Sequence, residues 1–486
     1  MKSFSELESE FSKVAVRAED PGLGASGYLS VAKAETEVSI TSAEYFERNA
    51  DRNGWFELRL RIASGDTVLL HHALMRSSGG IPPDIESKIF PNVLIFGAQR
   101  LSSDGRVSSV VFSFAEMRYF FWYHQIEWIG LFKARAGKLK SIKSLREDNP
   151  YFEKHGHFDP SAIFVLHQFP RAFRFKIEDR TYSVFPGINQ RGLGWGGLTL
   201  TPRPFARIDF AEPVSLDNAI DHVRDWKRYF TQVAMEDLPL EGLSVYAKRS
   251  RQGADVYLSN LKSHESRQLH PGDIPLNGWD ERKKLGRVMQ QWLSKQDERK
   301  DLRSAIDRVI LRSSQGRSVE DIVVLCSAID GLAELKQSSG LTKQDVETLA
   351  AAASGASRRK KIVVDPKRIK SILGGLQHLP LRSKLELLMK RIGSAVPTNL
   401  SQRLVPSVLK LRQSGAHGGS ITELANLRTA PTAEALLGCC ILYDQLTSGL
   451  PMEAHPHQRI NAMKRSIWAL EELDQLDKLA KRPDAK

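Results

Sequence analysis

Arg412 and His417 stand with four residues between them in the stretch Leu411-Arg412-Gln413-Ser414-Gly415-Ala416-His417-Gly418, within a region of helical apolar periodicity. An arginine offers a permanently charged planar fork for phosphate oxygens, and a histidine is the side chain best suited to passing protons near neutral pH. These are the two groups that RNA cleavage through its own 2′-OH requires, with no metal ion and no cofactor. In one continuous helix, residues five apart are rotated by about 140° and cannot face the same substrate. The Ser414-Gly415 pair is therefore the expected place for the helix to bend or restart, bringing both side chains to one phosphate. Gln413 and Ser414 are supporting hydrogen-bonding candidates. The competing reading puts both groups at a helix end, where positive charge favours the C-terminal carbonyls.

Charge points to the same region. The 486-residue chain carries 70 Lys and Arg against 57 Asp and Glu, a formal net charge of +13. From Arg358 to Arg412 alone, 14 basic residues face only Asp365 and Glu386, a local balance of +12. A basic block leading into a candidate phosphate-handling site reads as an electrostatic footprint for RNA. Arg358, Arg359, Lys360, Lys361, Lys367, Arg368 and Lys370 are its expected RNA-binding residues. The alternative is a set of solvated helix faces and an uninvolved loop.

The elements that must position these residues fall into three stretches. Residues 1–235 favour strands: Trp55 to Ile62, Ser108 to Phe114, Ala162 to Leu166 and Ala206 to Phe210 are alternating or rich in β-branched and aromatic residues. Ser215 to Val233 switches to helical spacing, with Ser215 as the expected N-cap. Residues 236–316 read as a partly structured connector, with strand-like patches at Leu243 to Tyr246 and Val256 to Leu258 and a charged helix from Asp280 to Leu311. Residues 317–486 read as amphipathic helices over Ser318 to Leu335, Thr342 to Ala353, Pro366 to Leu376, Leu381 to Ile392, Ser401 to Leu411, Thr432 to Thr447 and His457 to Ala480. Ala351 to Lys361, small and polar and then basic, is expected to be a mobile loop. The predicted fold is α+β and multidomain, a β-rich N-terminal domain followed by an all-α bundle.

Composition narrows the setting. The opening segment lacks the apolar core of a signal peptide. The most apolar run, Ala435 to Tyr443, is far shorter than the roughly 20 residues of a membrane-spanning helix. With only Cys326, Cys439 and Cys440, neither a disulfide framework nor a cysteine zinc site is expected, and a reducing cytoplasm fits best.

The arrangement resembles the ApeA type of HEPN protein, in which a β-rich N-terminal domain precedes a helical HEPN domain bearing an Arg-x(4 to 6)-His motif. Three places carry the resemblance. Ala206 to Lys248 is similar in texture to the end of the family's N-terminal domain, Ser327 to Leu332 looks like the early HEPN helix, and Leu411 to Gly418 looks like the catalytic motif. The resemblance implies an endoribonuclease with Arg412 and His417 as catalytic residues, acting as a homodimer or higher homo-oligomer. It also implies antiphage defence by abortive infection, with a phage-derived protein or another trigger at the N-terminal sensing domain. This chain has Gln413 where the family usually has Asn or another small polar residue, and Asp330, a further supporting candidate, where Glu is frequent. Some HEPN domains bind RNA without cutting it, so a non-catalytic RNA-binding or protein-interaction scaffold is the alternative. The apolar content of Thr432 to Thr447, notably Leu436, Leu437, Ile441 and Leu442, suits either a dimer interface or a monomer core.

Other motifs read as structure. Pro21 to Gly27 contains G-x-G-x-x-G but lacks a βαβ context. Gly192 to Gly197 reads as a bulge or tight turn. The aromatic run Arg118 to His124 reads as core rather than as a base-stacking surface. His155/His157 and His455/His457 have no third ligand nearby, so no metal site is expected. Glu471/Glu472 read as a solvated helix face.

Overall fold

A computed structural model of the chain describes all residues except 20–23, 33–34, 43–50, 52–53, 82–83, 102–104, 122–172, 186–187, 195–196, 260–273, 275, 277–280, 313–315, 336–342, 361–364, 366, 369–379, 417–422, 452–460 and 480–486. His417, Lys361, Lys370, the strand expected at Ala162 to Leu166 and both histidine pairs lie outside the described residues, as does most of the helix expected over Pro366 to Leu376.

The architecture is α+β, a β-rich N-terminal part followed by helices. After a short helix, α1 (Phe4–Glu10), come β1 (Val14–Ala18), β2 (Ser26–Ser30), β3 (Glu37–Ser42), β4 (Phe56–Ile62), β5 (Thr67–Ile81) and β6 (Asp84–Phe96). In β4, Phe56, Leu58, Leu60 and Ile62 are buried while Glu57, Arg59 and Arg61 face outward, the two-residue period of a sheet with one apolar face. These six strands close into an antiparallel barrel in the order β3-β2-β1-β4-β5-β6, because β6 pairs back to β3. Closure removes the unpaired edges that invite aggregation.

The long β6 belongs to two structures. Ile85 to Ile89 pair with β3, and Val93 to Phe96 pair with β14 (Ala254–Leu258). Pro91 sits between the stretch paired to β3 and the stretch paired to β14, and on the other edge it is in register with Ala73 of β5. Beyond β14 the sheet continues through β13 (Leu240–Tyr246), β7 (Val107–Phe114), β12 (Phe205–Val214), β9 (Arg180–Phe185) and β8 (Phe173–Ile177). A separate hairpin joins β10 (Ile188–Gly194) to β11 (Gly197–Pro202), with an irregular register between Arg191 and Gly194. A single-turn helix, α2 (Met117–Phe120), follows β7. Phe120 and Phe121 are buried, so the described end of the aromatic run at 118–124 is core.

Helix α3 (Leu216–Ala234) joins the two parts. Ser215 caps it, its Oγ accepting from the Asn218 N–H at 3.3 Å. Its sheet-facing side packs edge to face, with Trp226 against Phe112 at 5.1 Å and Phe230 against Phe120 at 4.8 Å. From its other side Arg228 pairs with Asp307, and the Ala234 carbonyl accepts from Asn461 Nδ2 at 2.6 Å.

Residues 236–316, expected to be a connector, are instead shared between the parts. β13 and β14 lie inside the main sheet, and the single expected helix is two, α4 (Arg282–Ser294) and α5 (Lys300–Leu311). Sequence periodicity could not reveal this, because the strands' partners β6 and β7 lie more than a hundred residues away. The two helices are fixed to α10 (Glu423–Thr447) by a buried ionic cluster around Asp444. Its carboxylate accepts from Arg299 Nη1 at 2.7 Å, Arg303 Nε at 2.9 Å and Trp292 Nε1 at 2.7 Å. Arg299 also forks onto Glu334 at 2.7 and 3.0 Å, and Glu334 accepts from the Tyr443 hydroxyl at 2.9 Å. Burial alone would raise the Asp444 pKa, but Arg303 and Arg299 overcome it and hold the carboxyl below its ordinary value.

The remaining helices are α6 (Val319–Gly331), α7 (Lys343–Arg359), α8 (Leu381–Ile392), α9 (Thr398–Ala416) and α11 (Asn461–Leu479). The mobile loop expected over Ala351 to Lys361 is not one as far as Arg359, since Ala351 to Arg359 complete α7. The alanine run is a strong helix former, and it outweighs Ser354 and Gly355. α10 starts at Glu423 rather than Thr432 and includes Pro431. Leu436, Leu437, Ile441 and Leu442 are fully buried within the chain, so the apolar surplus of that helix is consumed by its own core.

Candidate functional site

Arg412 sits in the last turns of α9, whose Leu404, Val405, Val408 and Leu411 form a buried stripe packed toward α6, α10 and α11. It lies at the edge of that stripe and is half-buried. It is near enough to Cys326 of α6 to act on that thiol's charge. Burial pushes Cys326 up to about 12 despite Arg412, so the thiol stays neutral and is no nucleophile. Among the described residues, no carboxylate pairs with Arg412.

Helix α9 runs through Ser414 and Gly415 to Ala416, so the helix does not restart at that pair; His417 lies outside the described residues. Ser414 Oγ donates to the Lys410 carbonyl at 3.2 Å, a local back-bond one turn up the same helix. On this continuous helix Ser414 stands about 200° round from Arg412, and Gln413 about 100°. Gln413 is exposed. Neither shares Arg412's face. Asp330 is one turn beyond Cys326 on α6, and its carboxylate accepts from Lys384 Nζ at 2.6 Å, while its carbonyl accepts from the same ammonium at 2.8 Å. Lys384 is buried, so Asp330 anchors α8 to the C-terminal end of α6. It is thereby an anchor beside Arg412's surroundings rather than a free acid.

The basic block divides by pairing. Lys384 meets Asp330, Arg382 meets Glu386 at 3.3 Å, Arg391 approaches Glu334 at 3.9 Å, and Arg403 lies 3.3 Å from Asp477 and 2.5 Å from Asp474. Acids from α6, the turn after it and α11 thus neutralise charges that sequence counting left open. Arg359, Lys360, Lys367 and Arg368 are exposed, and no carboxylate pairs with them among the described residues. The backbone of Arg358 is in α7, and nothing is described of its side chain.

A second group of chemically capable side chains escaped the sequence reading. Register between β4 and β5 jumps from Phe56/Ala73 to Leu58/Leu70, so His71 and His72 together oppose the single residue Glu57. Strict alternation would send adjacent histidines to opposite faces, whereas this bulge turns both outward. Their rings stack at 4.0 Å with planes 23° apart. His72 has φ of 49°, an unusual left-handed conformation for a residue with a side chain. His71 Nδ1 is 2.6 Å from Glu57 Oε1, and its Nε2 is 3.1 Å from Asp217 Oδ1 in the first turn of α3. His72 Nε2 is 3.6 Å from Asp217 Oδ2. Burial would lower the His71 pKa, but the hydrogen bonds to Glu57 and Asp217 prevail and raise it. An adjacent His-His pair in an otherwise alternating strand was the available signal, and the Asp217 partner had none. Comparison with protein-family models, with curated proteins and with solved structures gives no match.

Proposed function

We propose that this protein is an RNA endonuclease that cleaves without a metal ion, with Arg412 and His417 as its catalytic residues. The observation that carries the reading is Arg412 itself, a half-buried guanidinium on the α6 side of α9 with no carboxylate partner among the described residues. Such a cation is suited to an external anion, and a phosphate matches its fork. His417 stands five residues after Arg412 in the sequence, outside the described residues. In the proposed step the ribose 2′-oxygen gives its proton to a base and forms the bond to phosphorus. The 5′-oxygen leaves with its bonding pair and takes up a proton. His417 serves one or both transfers, and Arg412 stabilises the charge gathering on the nonbridging oxygens. The products are a 2′,3′-cyclic phosphate and a 5′-hydroxyl.

Arg359, Lys360, Lys367 and Arg368 supply the nonspecific phosphate attraction. The active form is a homodimer built through the helical part, and the β part senses a trigger, a phage-derived protein in the defence setting that the HEPN resemblance implies. Three free thiols, Cys326, Cys439 and Cys440, all buried, suit a reducing cytoplasm. Among the described residues no helix is long and apolar enough to cross a membrane. Labelled RNA incubated with wild type, Arg412→Ala and His417→Ala tests the reading. Loss of cutting with retained binding supports the enzyme, and binding without cutting by the wild type selects the scaffold alternative.

A further inference from the structure

We propose that His71, His72 and Asp217 bind one divalent transition ion of the zinc class, on the outer face of the barrel beneath the start of α3. The three side chains each bring one ligand atom, and all these atoms lie within 4.8 Å of one another. Four donors held about 2.0–2.1 Å from a tetrahedral zinc stand about 3.4 Å apart. His71 Nε2 stands 3.1 Å from Asp217 Oδ1 and His72 Nε2 3.6 Å from Asp217 Oδ2, so each oxygen of the one carboxylate faces an imidazole at about that spacing. Imidazole nitrogen with a carboxylate oxygen is the donor set that zinc and its neighbours prefer over magnesium or calcium.

The surroundings favour an ion over a plain ionic clamp. A metal-bound histidine nearly always donates its other ring N–H to a carboxylate, a backbone carbonyl or water, which fixes the tautomer that leaves the binding nitrogen free. Glu57 stands in that place, 2.6 Å from His71 Nδ1. The bulge and the left-handed φ at His72 turn both imidazoles to the same side, an arrangement that a regular β5 could not supply. His72 and Asp217 open onto a cleft of about 370 Å³ that Asn92, Asp221 and Arg224 also line. Three protein ligands leave a fourth position facing that cleft, where water or a small anionic group completes the shell. This site shares no residue with the proposed RNA-cleaving site and stands or falls separately from it.

The test uses the full chain, stripped with a chelator and then titrated with Zn²⁺ by calorimetry and with Co²⁺ by visible absorption. Wild type should bind one ion, and Co²⁺ should give the strong visible bands of a four-coordinate site. His72→Ala and Asp217→Asn should each weaken Zn²⁺ binding at least about 100-fold, and Glu57→Gln about 10- to 100-fold, as loss of an outer partner does. Circular dichroism and metal-free thermal unfolding identify which variants keep the fold, and the exposed Asp217→Asn decides if His72→Ala does not. No saturable binding by wild type would overturn the proposal. Binding undiminished in a folded Asp217→Asn or His72→Ala would place the ion on other histidines and overturn it equally.

Discussion

At the residue scale, what each polar side chain can still bind depends on what it already holds. Arg412 has no carboxylate among the described residues, whereas Asp330 is committed to Lys384 and Ser414 to the Lys410 carbonyl. Asp330→Asn should therefore loosen the junction of α6 and α8 and lower stability, read as a reduced urea midpoint, while cleavage by the remaining folded protein changes little. Ser414→Ala should leave activity within about twofold, since its hydroxyl is used within its own helix and points away from Arg412. The same distinction predicts RNA binding. Reversing Arg359 and Lys360 to Glu should flatten the salt dependence of affinity by up to about 0.7 in log-log slope per lost contact on a single strand. Arg403→Gln should leave the slope unchanged, because that charge is spent on Asp474 and Asp477. The pairing of Arg412 with His417 rests on residue type and spacing alone, since His417 lies outside the described residues. The ion pairs were not legible in the sequence, because Asp330 and Lys384 meet across 54 positions and Arg403 and Asp477 across 74.

At the element scale, several local signals were enough by themselves. Alternation in β4, the Ser215 cap of α3 and the apolar stripe of α8 each state their element directly, and α8 spans the residues expected, Leu381–Ile392. Long-range pairing hid the rest: β13 and β14 look like fragments until β6 and β7 stand beside them. The His71/His72 bulge is likewise a property of two strands and not of one. Two packing contacts invite measurement. Gly438 on α10 lies so close to α11 that an added Cβ would stand 2.7 Å from the Ala462 carbonyl and 2.0 Å from Ser466 Oγ. Gly438→Ala should therefore destabilise by about 1–3 kcal/mol in urea unfolding, the usual cost of overpacking, despite alanine's better helix propensity. Asp444→Ala leaves the buried Arg303 without a carboxylate and Arg299 with Glu334 alone, and should cost about 3–5 kcal/mol.

At the scale of the whole molecule, α3 and the Asp444 cluster tie the barrel, its extended sheet and the helices into one continuous apolar core. The Asp444 cluster also sets acid sensitivity. The folded-state pKa of Asp444 lies below the ordinary 3.8, so the unfolded chain binds the proton first. Its contribution is present above the unfolded value of about 3.9 and is lost as pH falls through the folded value. Acid unfolding of the wild type should steepen below about pH 4, and Asp444→Asn should remove that part of the dependence. Leu436, Leu437, Ile441 and Leu442 of α10 are internal and contribute nothing to association, but Leu427 on the same helix is 56% exposed and Trp468 on α11 is 64% exposed. Specific cleavage activity should fall on dilution in step with the dimer fraction from light scattering, and Trp468→Glu should shift both curves to higher concentration.

The most direct measurement is end-group analysis of RNA incubated with the purified full-length protein in excess EDTA, beside an oligonucleotide with a single ribonucleotide embedded in DNA. The expected result is cleavage of the RNA and of the DNA strand only after its one ribose, with 2′,3′-cyclic phosphate and 5′-hydroxyl ends. Cutting by Arg412→Ala and by His417→Ala should be at least about 100-fold slower, the usual worth of such proton-transfer and charge-stabilising groups. Cleavage that EDTA abolishes and Mg²⁺ restores, cleavage of all-DNA strands, or full activity in a folded His417→Ala protein would contradict the proposed mechanism.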